Sequence, residues 1–300
     1  MKTRLILDTD IGTDVDDALA LALCLASPEI ELRAVTTVYV NPVLRARVAG
    51  KLLRLAGRDD IPVRVGAAKP IERGKPLYWG GHEGRGLLTT GEIQAEPGTF
   101  ELEGDAIKFL SEELADGNDI CIAGVGPYTN LALALQDSTE NPREVLLMGG
   151  IYDHSGYGDE VDHNIACDIG AARAIVRSLH LLRLTTFDIT MQTIFDRSDI
   201  NKVRQCSTPF TDALATLMDI WLEQIGSSYA HLHDPLALSP LVERDFVEYR
   251  PAYVSIDQRG FTDMRPCAPG NTRTFVSVSV RAKKFREWFF DTICSFRWPK

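Results

Sequence analysis

Hydrophobic residues along this chain form short runs separated by polar turns, and the runs alternate between two lengths. Apolar residues fill positions 5–7 and, after a polar turn, positions 18–26. The first run is typical of a buried strand, and the second is long enough for a buried helix. The β-branched stretch Glu31–Val38 predicts a second strand, and Ile61–Val65 predicts a third. Between these two strands, Asn41–Pro42 predicts the start of a helix, because proline is favoured in a first helical turn.

The same alternation continues to the end of the chain. The further predicted elements are a helix over 105–114, strand Ile120–Ala123, helix Leu131–Leu135, strand Val145–Met148, a helix capped by Asp168 and running through Val176, strand Leu181–Thr186, helix Asp212–Ile225, strands near Tyr253–Ile256 and Phe275–Val280, and a final helix through Phe285 and Ile293. Alternating strands and helices predict an α/β fold with an open, mostly parallel, doubly wound sheet flanked by helices. No repeat or linker interrupts the 300 residues, so we expect a single domain over 1–300.

Two polar stretches interrupt the pattern, one over about 66–104 and one over Tyr152–His163. Long loops in compact domains are usually functional or disordered. The first loop carries the sequence Trp79–Gly86, which includes an aromatic residue, a histidine and several glycines. We interpret it as a flap over a site, although its composition fits an ordinary exposed loop equally well.

Composition narrows the range of partners. The formal net charge of −10 argues against a nucleic-acid-binding or anionic-membrane-binding surface. The first residues contain too short an apolar stretch for a signal peptide, and no run is long enough to span a bilayer. The 6 cysteines are scattered without a Cys-x-x-Cys pair. Free buried thiols are typical of a reducing compartment, so we expect a cytoplasmic protein.

The turn between the first predicted strand and helix carries five carboxylates within ten residues: Asp8, Asp10, Asp14, Asp16 and Asp17. This is the carboxyl end of a strand, where open α/β sheets bind ligands. A helix dipole favours one or two acids at this position, so five are too many for capping alone. Crowded carboxylates must bind protons, point into water or share a cation. Their oxygen ligands suit Ca²⁺ or Mg²⁺ rather than zinc.

Two known motifs match this turn poorly. An EF-hand loop counted from Asp8 would need glycine and glutamate where the chain has Thr13 and Leu19, and a helix before it, so it is ruled out. Phosphatases of the haloacid dehalogenase family also begin with a strand and Asp-x-Asp. In that alternative, a Mg²⁺-dependent phosphohydrolase would use Asp8 as nucleophile and Asp10 as acid. These enzymes have Thr or Val in place of Gly12, so the match is partial and the alternative stays open.

The turn most resembles the opening motif of the nucleoside hydrolases, Asp-x-Asp-Pro-Gly-x-Asp-Asp-Ala. Ile11 replaces the proline, and the loop is two residues longer. Further stretches resemble blocks of this family in the family's order, namely Asn41 after the second strand, Val125–Ala132, Asp162–Asp168 and His233–Pro235. The resemblance therefore covers residue 5 to about residue 240.

The resemblance implies a ribonucleoside hydrolase that releases free base and ribose by attack of a Ca²⁺-bound water at C1′, with no organic cofactor. The implied metal ligands are Asp10, Asp17, Asp234 and the backbone carbonyl of Val125. Asp10 would also take a proton from the water. The implied ribose-binding residues are Asp16, Asn41, Asp162 and Asn164, and Asp162 replaces the family's usual glutamate. Because family members are usually dimers or tetramers, we expect a homo-oligomer.

Histidines and aromatic residues complete the predicted site. His233 lies next to a predicted metal ligand and is the candidate proton donor to the departing base, whereas His82 in the flap is a candidate base contact. We expect His163 and His231 to be structural. The aromatic residues that could stack on a nucleobase are Trp79, Trp221 and Tyr229. A non-catalytic nucleoside-binding protein that keeps the metal is a third alternative, and the preference for purine or pyrimidine stays open.

Overall fold

The computed structural model describes residues 2–94, 103–115, 119–136, 142–178, 180–242 and 245–300. Its strands are β1 Thr3–Thr9, β2 Ile30–Thr37, β3 Val63–Val65, β4 Glu103–Gly104, β5 Ile120–Gly124, β6 Glu144–Met148, β7 Leu182–Thr185, β8 Ile194–Asp196, β9 Tyr229–His231, β10 Val247–Ile256, β11 Thr262–Pro266 and β12 Thr274–Val280. Its α-helices are α1 Asp16–Ala26, α2 Pro42–Leu55, α3 Thr90–Gln94, α4 Ala106–Ala115, α5 Thr129–Leu135, α6 His163–Cys167, α7 Ile169–Arg177, α8 Phe187–Thr190, α9 Arg197–Gln205, α10 Pro209–Ile225, α11 His233–Leu238 and α12 Ala282–Ser295.

Most of these strands form one large sheet. Within the described residues its order is β11-β10-β12-β7-β6-β5-β1-β2-β3-β4. The pairs from β12 through β4 are parallel, and β10 pairs antiparallel with β11 and β12 at one edge. The prediction of an open, mostly parallel sheet is therefore confirmed.

Helices pack on both faces of this sheet, as the alternation of side chains along β1 shows. Leu5 and Leu7 lie in the hydrophobic core that contains α1, α2 and α10. Ile6 points to the opposite face, into the core formed with α4, α5 and α7. Successive side chains of a strand face opposite sides, so a continuous apolar run predicts a strand covered on both faces. This confirms the doubly wound arrangement. The single-domain assignment stays a prediction.

The central position of β1 determines where a ligand can bind. β2 lies on one side of β1 and β5 on the other, so the chain order reverses direction across β1. The carboxyl ends of strands beside such a reversal form a crevice. Every residue of α1, which follows β1, is buried. The two elements that flank the acidic turn are thus held firmly within the fold.

Some elements were not predicted because they carry weak apolar patterns. Helix α9 buries few apolar side chains, among them Ile200 and Val203, and its start is stabilised by a reciprocal capping box between Asp196 and Asp199. The side chain of Arg286 forms ion pairs with both of these aspartates. In the predicted flap, residues 95–102 lie outside the described part of the chain. Among the described helices, none combines the length and the apolar character required to cross a bilayer.

Asp168 connects the first polar loop to the body of the fold. Its carboxylate is completely buried and accepts hydrogen bonds from the backbone N–H groups of Ile71 (2.8 Å), Glu72 (3.0 Å) and Ala171 (3.0 Å). The hydroxyl of Thr129 donates a further bond of 2.6 Å. The predicted cap of α7 is confirmed, and the same carboxylate also fixes residues 71–72 against α7.

We expect Asp168→Asn to lower the free energy of unfolding by roughly 2–4 kcal/mol, because an amide NH₂ would then face N–H donors in a buried position. Urea denaturation measures this change. Asp105→Asn is the matched control, since Asp105 accepts a bond from Lys108 N at the start of α4 and is exposed. Its cost is expected to stay below about 1 kcal/mol. Equal losses in the two variants would contradict the role of Asp168.

Candidate active site

The acidic turn after β1 is held in place by the hydroxyl group of Thr9 and by a buried arginine. The Thr9 hydroxyl donates to Asp17 and accepts the backbone N–H of Ile11. Arg45 on α2 is 1% exposed. Its guanidinium donates to the carbonyl of Ile11 (3.2 Å) and to the hydroxyl of Thr13 (3.3 Å). These bonds fix the turn that carries the aspartates.

Arg45 also supplies the turn with a positive charge. Its guanidinium lies 4.0 Å from the carboxylate of Asp10 and 5.3 Å from the ring centre of Trp79. A buried cation is costly unless it is paired and hydrogen-bonded, and both conditions are met here. Arg45 could not be identified as a site residue from the sequence, because one arginine within an amphipathic helix is typical of a solvated face.

Three buried carboxylates form the core of the site. Asp16, Asp17 and Asp234 each offer an oxygen, and these oxygens lie within 4.8 Å of one another. Burial raises the pKa of Asp17, as do the charges of Asp10 and Asp16. Burial and the neighbouring acids also raise the pKa of Asp234. Since a shared cation relieves this repulsion and all the ligand atoms are oxygens, the cluster could bind a hard divalent metal ion.

Among the carboxylates, this tight group differs by one member from the predicted ligand set. It contains Asp16 and not Asp10. Asp10 faces the same cavity and is tightly packed against the turn after β5. A Cβ atom placed on Gly126 would lie 2.7 Å from Asp10 Oδ1 and 2.8 Å from Asp10 N. Glycine at 126 therefore allows the β5 turn to approach Asp10, a contact that a side chain at this position would prevent.

The second polar loop ends in α6, which brings two predicted ribose contacts into the site. Asp162 caps this helix and accepts the backbone N–H of Ile165 at 3.1 Å. The amide of Asn164 donates to the carbonyl of Val125 at 2.7 Å and to the carbonyl of Met148 at 3.2 Å. Asn164 thus connects α6 to the carboxyl ends of β5 and β6, and one of its two acceptors is the Val125 carbonyl that we predicted as a metal ligand.

His233 stands at the start of α11, immediately before Asp234. Its Nδ1 lies 2.7 Å from the hydroxyl of Thr190. Its ring stacks on Phe187, with centroids 5.5 Å apart and an interplanar angle of 14°. Burial and the neighbouring His231 lower the pKa of His233 to about 3, so the imidazole is neutral at neutral pH in the absence of substrate.

These groups surround one cavity of about 580 Å³ at the carboxyl ends of the strands, a size that is typical of small-molecule sites. The predicted site residues that line it are Asp10, Asp16, Asp17, Val125, Asp162, Asn164, His233 and Asp234. Lining residues that we did not predict as site residues include Lys75, His163 and Phe187. Phe187 follows β7 directly, so the rule that strand ends converge could have identified it.

Two predicted contacts lie outside the cavity lining. Asn41 is exposed, and its side chain accepts the backbone N–H of Leu44 as the cap of α2. His82 is buried behind the turn, where Nε2 lies 2.7 Å from the carbonyl of Thr13 and the ring stacks on Trp221. Helix capping and loop support are the roles that the structure shows for these two side chains. Their substrate contacts stay predictions.

The three aromatic residues that could stack on a nucleobase also differ in whether they line the cavity. Trp221 lines the cavity. Trp79 packs over Arg45, and Tyr229 is 46% exposed and contacts the edge of His231. Trp221 is therefore the one of the three that contributes to the cavity wall. His231 lies behind His233, with ring centroids 5.2 Å apart.

Asp8 does not reach the cavity. Its side chain is completely buried and accepts bonds from Thr36 and from Asn130 (2.7 Å). Burial raises its pKa to about 7, against the effect of these two hydrogen bonds. A nucleophile must contact its substrate. Asp8 therefore supports the sheet and cannot serve as the nucleophile of a phosphohydrolase.

Comparison with known proteins defines the class of this enzyme. The sequence model for inosine-uridine preferring nucleoside hydrolases matches residues 5–287. The chain belongs to this family and is a hydrolase of N-glycosyl compounds. Together with the burial of Asp8, this excludes the phosphohydrolase alternative.

Individual relatives agree with the family but differ in the bases that they prefer. The pyrimidine-specific ribonucleoside hydrolase RihA of Photobacterium profundum is 30% identical over 271 residues, covering 87% of this chain and 86% of the relative. RihA of Salmonella agona is equally similar. A purine-preferring ribonucleoside hydrolase from Gardnerella vaginalis superposes with a TM-score of 0.81 at 26% identity, covering 97% of this chain and 98% of that chain. The plant nucleoside hydrolase PpNRh1 has the same TM-score at 21% identity, with 98% and 100% covered, and supports the fold alone.

We expect Gly126→Ala to lower kcat/KM about 10- to 100-fold, because the new methyl group would displace Asp10 and misplaced catalytic groups lose rate steeply. Release of free base measures the effect. Gly50→Ala is the control, since no atom lies within 4 Å of the added methyl group and Gly50 is inside α2. Full activity of Gly126→Ala would show that the contact with Asp10 is unimportant.

Proposed function

We propose that this protein cleaves the N-glycosidic bond of ribonucleosides, releases free base and ribose, and uses Ca²⁺. The observation that carries the proposal is the combination, in one cavity, of a buried carboxylate cluster with Asn164 and His233. A cis-diol sugar and a hard cation both require convergent oxygen ligands, and a leaving base requires a polar group on the opposite side. A cytoplasmic location remains an expectation from the cysteine pattern, and a dimer or tetramer remains an expectation from the family resemblance.

The residues that would hold Ca²⁺ are Asp10, Asp17, Asp234 and the carbonyl of Val125, and Asp16 is close enough to join them. Six to eight oxygen ligands are normal for this ion, which leaves room for water and sugar hydroxyls. When bound, the ion lowers the pKa of a water molecule and orients the sugar. Burial and the neighbouring acids raise the pKa values of Asp17 and Asp234, and a divalent charge nearby would favour the ionised form of both.

The protein's own groups then act on the sugar. Asp10 accepts a proton from the attacking water. Cleavage at C1′ develops positive charge on the ribose ring, by analogy with glycoside hydrolysis, and the surrounding carboxylates oppose that charge. Asp16, Asp162 and Asn164 bind ribose hydroxyls and convert binding energy into orientation.

His233 is the proposed proton donor to the leaving base, and Thr190 determines how it can act. The Thr190 hydroxyl lies 3.0 Å from the carbonyl of Phe187 as well as 2.7 Å from His233 Nδ1. A hydroxyl has one hydrogen, so both bonds form only if Thr190 donates to the carbonyl and Nδ1–H donates to Thr190. In that tautomer Nε2 carries no hydrogen. Proton donation then requires the ring to gain a proton when substrate binds.

Removal of the metal tests the first part of the proposal. We expect the protein with Ca²⁺ to release free base from uridine, cytidine, inosine or adenosine, and chelation to abolish release and lower Tm. An ion that binds only the folded state stabilises that state. Chromatography, calorimetry and elemental analysis measure these effects, and added Ca²⁺ is expected to restore both properties. Unchanged rate and Tm in demonstrably metal-free protein would contradict the proposal.

The dependence of the rate on the leaving group tests the second part of the proposal, proton donation by His233. General acid catalysis typically contributes about 10²–10⁴-fold, and only where the leaving group needs a proton. We therefore expect His233→Ala to slow natural nucleosides by this amount and to leave a nitrophenyl riboside almost unaffected. His231→Ala is the neighbouring control, expected to affect both substrates alike. Equal losses on both substrates in His233→Ala would show that His233 shapes the cavity without donating a proton.

A further inference from the structure

Thr13 connects the acidic turn to the predicted flap. Its hydroxyl donates to Glu83 Oε1 at 3.0 Å, and its carbonyl oxygen lies 2.7 Å from His82 Nε2. A carbonyl can only accept, so Nε2 of the imidazole is the donor. The guanidinium of Arg45 donates to the same hydroxyl at 3.3 Å. One residue of the turn therefore holds two side chains of the flap and the buried arginine of α2.

The two flap side chains depend on Thr13 for their hydrogen bonds. Glu83 is 4% exposed and His82 is 8% exposed. Glu83 Oε1 also accepts the backbone N–H of Gly80 at 2.7 Å. Within the described part of the chain, Glu83 Oε2 and His82 Nδ1 are buried without a hydrogen-bond partner. Since a buried polar group that loses its partner is costly, the contacts with Thr13 are important for keeping both side chains inside the protein.

The flap backbone is shaped to fit between the turn and α10. A Cβ atom on Gly80 would lie 2.6 Å from His82 Nδ1 and 3.2 Å from Glu83 Oε1, so a side chain at position 80 would displace the histidine. At the other end of the flap, Gly86 has φ +76°, and a Cβ atom there would lie 2.5 Å from Ile220 on α10. Glycine at these two positions allows the close packing of the flap.

The contacts of Thr13 reach the cavity wall on two sides. Thr13 itself lines the cavity, and so does Tyr78, which directly precedes the flap segment 79–86. The ring of His82 stacks on Trp221, with centroids 6.1 Å apart, and Trp221 is a further part of the wall. The turn, the start of the flap and Trp221 are thus connected through Thr13 and His82.

Thr13 also directly precedes the aspartates of the cavity. Asp14 lines the cavity, and its carboxylate accepts the backbone N–H groups of Val15 and, at 3.3 Å, of Asp16. Thr13 lies in the turn that is two residues longer than the motif of the nucleoside hydrolases. Neither the family match nor the proposed reaction gives Thr13 a role.

We propose that Thr13 is a positioning residue of this reaction, and that Thr13, His82 and Glu83 form a latch that holds the flap segment 79–86 against the acidic turn. This role rests on the proposed function, because the latch keeps the wall of the nucleoside cavity in place. A nucleoside binds tightly only where the wall is complete, so its apparent affinity falls with the fraction of molecules in which the latch is formed. Weakening the latch therefore raises KM, whereas kcat changes little because no reacting group is lost.

A double-mutant cycle tests the latch with uridine or inosine and Ca²⁺. Glu83→Ala removes the acceptor of the Thr13 hydroxyl and is expected to raise KM about 10- to 100-fold, as for the loss of a hydrogen bond to a carboxylate, with kcat changed less than about threefold. Glu83→Gln keeps an oxygen acceptor and is expected to retain most of the affinity. In a Thr13→Val background, Glu83→Ala is expected to add less than about threefold, because both changes remove the same contact.

Hydrogen exchange of the full chain with Ca²⁺ and without substrate measures the latch directly. We expect the amides of residues 79–88 to exchange at least about 10-fold faster in Glu83→Ala and in Thr13→Val, and the amides of β1 to keep the wild-type rate. Thr90→Val is the matched control, because Thr90 is exposed at the start of α3 and does not line the cavity. It is expected to change neither KM nor the exchange of the flap.

Losses that multiply in the double variant, or a loss mainly in kcat, would overturn the proposal, and so would wild-type exchange of the flap in Glu83→Ala. If Thr13→Val does not fold, Glu83→Ala and Glu83→Gln decide in its place, since equal behaviour of these two variants would refute a hydrogen-bonded latch. If no base is released from any nucleoside, the proposed function fails. The exchange experiment then still decides whether Thr13 and Glu83 hold the flap.

Discussion

The structure depends on keeping several carboxylates close together inside the protein at the end of a central strand. Buried acids of like charge destabilise a fold unless protons, cations or hydrogen-bond donors compensate them. Here the Thr9 hydroxyl, the Arg45 guanidinium and the backbone N–H of Asp234 supply part of that compensation. The raised pKa values of Asp17 and Asp234 show that compensation by the protein alone is incomplete. The fold tolerates such a cluster, and a bound cation would stabilise it further.

The sheet topology makes this arrangement possible. Because β2 and β5 pair with β1 on opposite sides, the turns after all three strands meet at one edge. The turn after β5 then approaches so closely that only glycine fits at position 126. The turn after β7 contributes Phe187, and α6 adds Asn164 from the second polar loop. Each element brings few groups, and the parallel order places them in a single cavity.

The sequence was sufficient for the fold class and for about half of the residues that line the cavity, for a definite physical reason. Continuous apolar runs identify strands that are buried on both faces, and strand ends in a parallel sheet converge. Groups at those ends, such as Asp10 after β1 and Val125 after β5, were therefore expected to meet, and they do. Helix α9 was not predicted, since its stability comes from capping and from ion pairs with Arg286 rather than from an apolar face.

Residues whose role depends on long-range contacts were harder to identify. Arg45 reaches the turn from a different helix, and Lys75 lies in a loop that is anchored in part by a buried carboxylate nearly a hundred residues later. The motif position of Asn41 suggested a ligand contact, whereas its side chain caps a helix. A motif gives the residue type and the approximate place, but the direction of a side chain depends on competing hydrogen bonds.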